Sequence, residues 1–176
     1  MDPEPVKKEF LQAMRGITST VTVVSAKNGE NKQAMTATSV ASLSLDPPSM
    51  LVCINHEASI HEVMKEGLGF CINILSLGQE NLANLCSVKE KEEQRFLEGN
   101  WSELENIPYN SDSQSNLFCN CVQVIQHKTH TIYVGEVAKV FNKNTFDPKN
   151  NFFSSRLSIH NKENDYGRNI SIIMIK

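Results

Sequence analysis

The stretch 34–55, which reads AMTATSVASLSLDPPSMLVCIN, sets the tightest limits on how this chain can fold. In its first half, small apolar residues alternate with hydroxyl residues, as in a strand whose successive side chains point to opposite faces. Asp46-Pro47-Pro48 then ends that strand, because proline cannot donate a hydrogen bond to a sheet. Residues 50–54 are apolar on both faces. The stretch therefore predicts one strand over 34–45, followed by a central, buried strand.

The hydroxyl face of the first strand has two interpretations. An antiparallel strand often keeps one polar face in solvent, and serine and threonine suit that position. Alternatively, small residues let a flat ligand approach the backbone, while hydroxyl and N–H groups bind its polar atoms. The alternation alone does not choose between a solvated face and a ligand site.

The length and composition of the chain limit the classes of protein it can belong to. Its 176 residues suit one domain spanning 1–176 with a sizeable core. A net charge of -3 gives no sign of a nucleic-acid surface. The sequence shows no signal peptide and no apolar run of spanning length. Five cysteines without a secretory signal predict reduced thiols and a cytoplasmic protein.

The rest of the chain continues the β pattern. Asn28-Gly29 predicts a hairpin turn, and Ser59 with Glu62 predicts a capping box that starts a helix ending at Gly67. Further helices are expected over 5–15, 79–87 and 90–97. The region from Trp101 through residue 116, rich in Asn and Ser, is expected to be a loop. Further strands are expected over 18–26, 69–75, 117–126, 131–141 and 170–175. Seven strands with short helices predict a closed or partly closed antiparallel barrel.

Several of these residues form a motif set that resembles the flavin reductase-like family. The matching segments are MTAT at 35–38, SLSLDPP at 42–48, LVCIN at 51–55, and then Ser59 and His61. The resemblance implies a mainly β fold, an antiparallel Greek-key split barrel with short flanking α-helices. It also implies that FMN or FAD is the flavin and that NADH or NADPH is the hydride donor.

The resemblance implies a set of site residues. Residues expected at the flavin ring and ribityl chain are Thr36, Ala37, Thr38, Ser39 and Ser42. Residues expected near the phosphate end are Ile54, Asn55, Ser59 and His61. Arg95-Phe96 resembles an arginine-phenylalanine pair that the family places near the flavin, and Phe96 is expected there or in the core. Tyr166 and Arg168 are expected in a C-terminal segment that closes the site. His130 is expected to face the nicotinamide as the catalytic residue, although Lys128 and Thr129 replace the family's Gly-Asp before it.

The function implied by the resemblance is an NAD(P)H:flavin oxidoreductase that can supply reduced flavin to a monooxygenase. Family members are usually homodimers, which implies a homodimer here. Two alternatives stay open: a non-catalytic flavin-binding module of the same fold, and a barrel without any ligand. NAD(P)H oxidation separates the enzyme from both alternatives, and a flavin absorbance spectrum separates the two alternatives from each other.

Other chemistries fit the sequence less well. Cys119 and Cys121 share one strand face near His127 and His130. However, a Cys-x-Cys pair on one strand is poorly placed to bind a tetrahedral zinc ion, whose cysteine ligands are typically separated by two to four residues. Cys53 lies in the buried strand, where burial disfavours the thiolate that a nucleophile needs. The sequence contains no GxGxxG or P-loop motif, which argues against a Rossmann-type dinucleotide site.

Overall fold

The structure, a computed structural model, describes residues 3–143 and is mainly antiparallel β. The strands are β1 Thr22–Asn28, β2 Asn31–Ala37, β3 Val40–Leu45, β4 Pro48–Asn55, β5 Gly69–Ile74, β6 Trp101–Leu104, β7 Ile107–Asn110, β8 Ser115–His127 and β9 His130–Asn142. The helices are α1 Pro3–Met14 and α2 Glu80–Ser87, with 3-10 segments at Ser59–Glu62 and Lys89–Gln94. Neither helix has the length and apolar content that crossing a bilayer requires.

Seven strands form one sheet in the order β2-β1-β5-β8-β9-β4-β3, and β6 and β7 form a separate hairpin. The stretch 34–45 was predicted as one strand, but it forms the end of β2 and all of β3, with a break at Thr38 and Ser39. β2 and β3 lie at opposite edges of the sheet. Because only two residues join these edges, the sheet has to curve until the edges approach one another. The Cys53 N–H donates to the Ser39 carbonyl at 2.9 Å where they meet.

The described residues form three apolar clusters, two of which contain neighbouring residues of β1 on its opposite faces. The larger cluster contains Val24, Ile54 and Phe70, all at most 1% exposed. The smaller one packs Val23 against Leu82 and its neighbours in α2. Val52 and Ile54 share one face of β4 and are fully buried in the larger cluster, whereas Leu51 and Cys53 on the opposite face are half-buried. The strand predicted over 50–54 is therefore covered more completely on one face than on the other.

Several predicted elements are confirmed within one to four residues. The turn at Asn28-Gly29 joins β1 to β2, and Gly29 has a φ of 61° that favours glycine. The strand pair β8–β9, helix α1 and helix α2 also occur where the sequence predicts them. However, the apolar residues of α1 stay largely exposed in the part of the chain that the structure describes, since Val6, Phe10 and Met14 are 55%, 60% and 44% exposed.

Three predictions of local structure are wrong or untested. Ser59 does not cap a helix: it lies inside a 3-10 segment without a side-chain cap, and the Glu62 carboxylate accepts instead from Asn31 at 3.0 Å. Residues 101–110 were expected to form a loop but make the hairpin β6–β7. The predicted strand over 170–175 and the residues Tyr166 and Arg168 lie outside the described part of the chain.

Candidate functional site

Strand β2, the loop after β4 and the segment after α2 enclose a cavity of about 270 Å³. These elements come together because β2 packs against α2 and against the 3-10 segment Ser59–Glu62. The cavity is lined by Met35, Thr36, Thr38, Glu57, Ala58, Ser59, Cys86, Ser87, Lys89, Glu92 and Arg95. Hydroxyl groups and charged groups of both signs therefore face the same space.

Three of the residues predicted to bind a ligand line this cavity. Thr36 donates its hydroxyl to the Ala83 carbonyl of α2 at 2.6 Å, which joins β2 to the helix. The Ser59 hydroxyl lies 3.3 Å from the Gln33 side-chain oxygen. Thr38 is exposed at the break between β2 and β3. The cavity thus gathers part of the hydroxyl face that the alternation in the sequence predicts.

Arg95 is the most deeply buried charged residue of the cavity, at 4% exposure. Its two terminal nitrogens donate to the carbonyls of Ala34 at 2.8 Å and Val88 at 2.9 Å. Its Nε is buried and has no hydrogen-bond partner within residues 3–143. A buried guanidinium with a spare donor on a cavity wall is well suited to bind an anion.

Lys89 is a second cation on this wall, and Glu57 and Glu92 supply two carboxylates. Glu92 lies 3.9 Å from Arg95. These acids offset the formal charge of the two cations, so binding of an anion here would depend on direct hydrogen bonds from Arg95 and Lys89 and not on the net charge of the cavity. The prediction from sequence missed Lys89 and Arg95, although Arg95 precedes Phe96 in a pair that carries the family resemblance.

His61 lies beside the cavity but does not line it. Its Nε2 is 2.8 Å from the Asn55 carbonyl, and its Nδ1 is 2.6 Å from the Tyr133 hydroxyl. Both ring nitrogens therefore bond within the protein. The structure does not support a direct contact between His61 and a ligand phosphate, because the imidazole has no remaining polar atom to offer.

His130 stands at the start of β9, directly opposite Asn55 of β4. A two-residue turn, Lys128-Thr129, joins β8 to β9 just before His130, and Lys128 has a φ of 52°. The Thr129 carbonyl accepts from the His56 N–H at 2.9 Å, and the Thr129 hydroxyl lies 2.9 Å from His130 Nδ1. The exposed imidazole is therefore held at the same end of the sheet as the loop that forms the cavity wall.

The remaining predicted residues are placed apart from the cavity. Ala37 and Ile54 are buried in the larger core cluster, at 6% and 0% exposure. Ser39 and Ser42 are exposed near the β3 edge and do not line the cavity. Phe96 packs against Trp101 with ring centroids 4.7 Å apart, which agrees with the alternative expectation of a core role.

The cysteines do not form a reactive or metal-binding group in the described structure. Within residues 3–143, no three histidine, cysteine or acidic side chains lie close enough to hold a metal ion. Burial raises the pKa of Cys119 to about 12 and that of Cys86 to about 12. Burial also raises the pKa of Cys71 and of Cys121. Cys53 is half-buried.

These pKa values predict slow reaction with thiol reagents. At pH 8, a thiol of pKa about 12 is ionised in about one molecule in ten thousand. We expect Ellman's reagent to label at most Cys53 rapidly in the native protein and all five thiols after denaturation. Cys53→Ser should remove the rapid phase. Rapid labelling of two or more thiols in the native protein would contradict the burial seen here.

Comparison with known proteins gives a consistent result. Residues 14–158 match the model of the Flavin reductase like domain. The reductase component of the FADH(2)-dependent resorcinol hydroxylase of Rhizobium sp. (strain MTP-10005) is 34% identical over 138 residues, which cover 77% of each chain. The FMN reductase (NADH) RutF of Pseudomonas syringae pv. syringae (strain B728a) is 32% identical over 132 residues, 74% of each chain.

Solved structures agree with the sequence comparisons. The NADH:FAD oxidoreductase SgcE6 of Streptomyces globisporus C-1027, determined in complex with NAD and FAD fragments, superposes with a TM-score of 0.72 at 26% identity. The match covers 81% of this chain and 86% of that chain.

Proposed function

The chain belongs to the flavin reductase-like family, and from that premise we propose that it is an NAD(P)H:flavin oxidoreductase. The observation that carries the proposal is the cavity, which joins the hydroxyl residues of the family motif to two cations, Lys89 and Arg95. NADH is the expected hydride donor, because the names of several relatives specify it. FMN and FAD both remain candidates for the flavin, since relatives are named for each.

The cavity fits the phosphate end of a flavin better than a whole flavin. Its volume of about 270 Å³ is below the roughly 300–1,000 Å³ of pockets that enclose a drug-sized ligand. Arg95 and Lys89 can donate to phosphate oxygens, and Thr38 and Ser59 can add hydroxyl contacts. The remainder of the flavin would extend beyond this cavity.

The expected binding free energies are consistent with a phosphate held in the cavity and a flavin ring bound outside it. A micromolar dissociation constant corresponds to about 8 kcal/mol. Two charge-assisted contacts from Lys89 and Arg95 supply roughly 3–6 kcal/mol before association costs. Burial of the flavin ring at about 25 cal/mol per Å² has to supply the rest. The phosphate contacts alone are therefore insufficient, and the ring must also be covered.

A bound flavin would supply the redox chemistry by accepting a hydride from the nicotinamide. The protein contributes binding, orientation and the exclusion of water around the two rings. His130 lies at the same end of the sheet as the cavity wall, opposite Asn55. We assign it to the nicotinamide side, where its imidazole would orient the carboxamide or stabilise negative charge on the reduced flavin.

His130→Ala is expected to lower kcat at least tenfold, since loss of one positioned polar group in an active site commonly costs about that much or more. The dissociation constant for FMN should change less than twofold, because His130 does not line the cavity. The measurements are steady-state NADH oxidation and flavin titration. His127→Ala is the matched control, since His127 is also exposed and pairs with His130 across the turn. Equal kcat values for the two variants would remove His130 from the mechanism.

The direct test of the proposed function uses the purified wild-type protein. Its absorbance in the flavin bands shows whether flavin is retained. NADH and NADPH oxidation is then followed with FMN or FAD added. Oxidation that depends on flavin supports the reductase and identifies both preferences. Bound flavin without oxidation would favour the alternative, a non-catalytic flavin-binding module.

The proposed function extends to partners. The resorcinol hydroxylase relative is a reductase component, which supports a flavin-dependent monooxygenase as the consumer of the reduced flavin. A homodimer is supported by large apolar side chains that are exposed in the described part of the chain. Phe10 of α1 is 60% exposed, and Leu43 and Leu45 of β3 are 52% and 89% exposed. A cytoplasmic location suits both the reduced thiols and a nicotinamide donor.

A further inference from the structure

The loop between Asn55 and Ser59 forms one wall of the cavity, and a histidine holds it in place. The His61 ring lies between two polar groups, the Asn55 carbonyl at 2.8 Å from Nε2 and the Tyr133 hydroxyl at 2.6 Å from Nδ1. Tyr133 belongs to β9 and is only 3% exposed. The ring therefore connects a buried position in the sheet to the start of the loop.

The partners of the ring determine its tautomer. The Asn55 carbonyl can only accept a hydrogen bond, so Nε2 carries the hydrogen and donates it. Nδ1 is then an acceptor, and the Tyr133 hydroxyl donates to it. Burial raises the pKa of Tyr133, so its hydroxyl keeps its proton at neutral pH. Both ring nitrogens of His61 and the hydroxyl of Tyr133 are thus used in one chain of hydrogen bonds.

This chain of hydrogen bonds ends on the residue that shapes the loop. The backbone carbonyl of Asn55 also accepts from the Ala58 N–H at 3.0 Å. The side-chain oxygen of Asn55 accepts from the Glu57 N–H at 3.0 Å. Glu57 and Ala58 both line the cavity. A shift of Asn55 would therefore move the cavity wall, and His61 opposes that shift.

We propose that His61 and Tyr133 are positioning residues for flavin binding: the Tyr133–His61–Asn55 hydrogen bonds hold the loop 55–59 in the conformation that receives the flavin phosphate. This assignment rests on the proposed function. It differs from the expectation drawn from sequence, in which His61 contacts the phosphate itself. The two can be separated by removing the Tyr133 hydroxyl alone, because its hydrogen-bond partner in the described structure is His61 and Tyr133 does not line the cavity.

The decisive variant is Tyr133→Phe, which removes only the hydroxyl that donates to His61. We expect FMN binding, measured by fluorescence quenching in a flavin-free preparation, to weaken about three- to tenfold, the range for loss of one hydrogen bond. The KM for FMN should rise while kcat at saturating FMN stays within twofold of wild type. Tyr109→Phe is the matched control, because that tyrosine packs against Phe118 and Phe141 and its hydroxyl has no hydrogen-bond partner within residues 3–143.

Variants of His61 test whether the two residues act as one unit. His61→Gln can still donate to Asn55 from the Nε2 position, so it should bind FMN more tightly than His61→Ala. The double variant of His61→Gln with Tyr133→Phe should bind FMN about as well as either single variant, since both remove the same bond. Additive losses would overturn the proposal.

A spectroscopic measurement tests the arrangement without any flavin. In ¹⁵N-labelled flavin-free protein, His61 should show a protonated Nε2 and an unprotonated Nδ1, and the Nδ1 shift should change in Tyr133→Phe but not in Tyr109→Phe. A protonated Nδ1 would overturn the proposal. So would FMN affinity in Tyr133→Phe equal to that of wild type. If wild-type protein does not bind FMN at all, the proposed function fails and the positioning role fails with it.

Discussion

Asn73→Ala is expected to lower the free energy of unfolding by about 3–5 kcal/mol, the largest effect on stability that we predict for a single side chain. Asn73 is fully buried in β5 and uses both ends of its amide. Its nitrogen donates to the Val23 carbonyl at 2.7 Å and to the Ser25 hydroxyl at 2.9 Å. Its oxygen accepts from the Asn110 N–H at 2.8 Å and from the Asn116 side chain at 2.9 Å. Removing the amide leaves these buried groups without their partner.

The measurement is equilibrium denaturation in urea, compared with Asn120→Ala. Asn120 lies on the neighbouring strand β8 but is exposed, so its loss should change stability by no more than about 0.5 kcal/mol. A loss below about 1 kcal/mol for Asn73→Ala would show that water or rearranged neighbours replace its hydrogen bonds.

Arg95→Met is expected to weaken FMN binding at least tenfold and to lower the free energy of unfolding by about 2–4 kcal/mol. The affinity falls because the substitution removes a cation and a spare donor from the cavity. The stability falls because the buried carbonyl of Ala34 and the partly buried carbonyl of Val88 lose their donor and Glu92 loses its neighbouring charge. Flavin titration and urea denaturation measure the two effects separately.

Lys89→Met is the control that separates the two effects. It removes the same charge from the same cavity, but Lys89 is exposed, so stability should be nearly unchanged while FMN binding weakens. Arg95→Lys keeps the charge without the planar fork that reaches two carbonyls, and should recover part of the affinity and little of the stability. FMN binding by Arg95→Met as tight as that of wild type would exclude Arg95 from the flavin site.

The β character of the chain could be predicted because its signals are local. Alternation before Asp46, the two prolines after it and the Asn28-Gly29 turn each act through neighbouring residues. The same stretch carries the motif that resembles the family, so the family could be recognised from the same residues. The hairpin at 101–110 was missed because its turn residues, Glu105 and Asn106, are not a strong hairpin pair, although both have positive φ.

The candidate site could be predicted only in part. Thr36 and Thr38, expected at the flavin ring and ribityl chain, and Ser59, expected near the phosphate, line one shared cavity. Their contact with a flavin stays a prediction. The partners of His61 could not be predicted, since Tyr133 lies 72 residues further along the chain. Whether that histidine faces a ligand or a tyrosine depends on the register between β4 and β9, which no local pattern specifies.

By itself, the sequence determined the strand-rich fold, the family and the hydroxyl residues near one edge of the sheet. Only the tertiary structure decided that Lys89 and Arg95 join those hydroxyls in one cavity and that His61 bonds to Tyr133. The physical reason is the difference in sequence separation. Backbone preferences act over a few residues, whereas a site is assembled by packing between segments tens of residues apart. That packing determines the direction in which each side chain points.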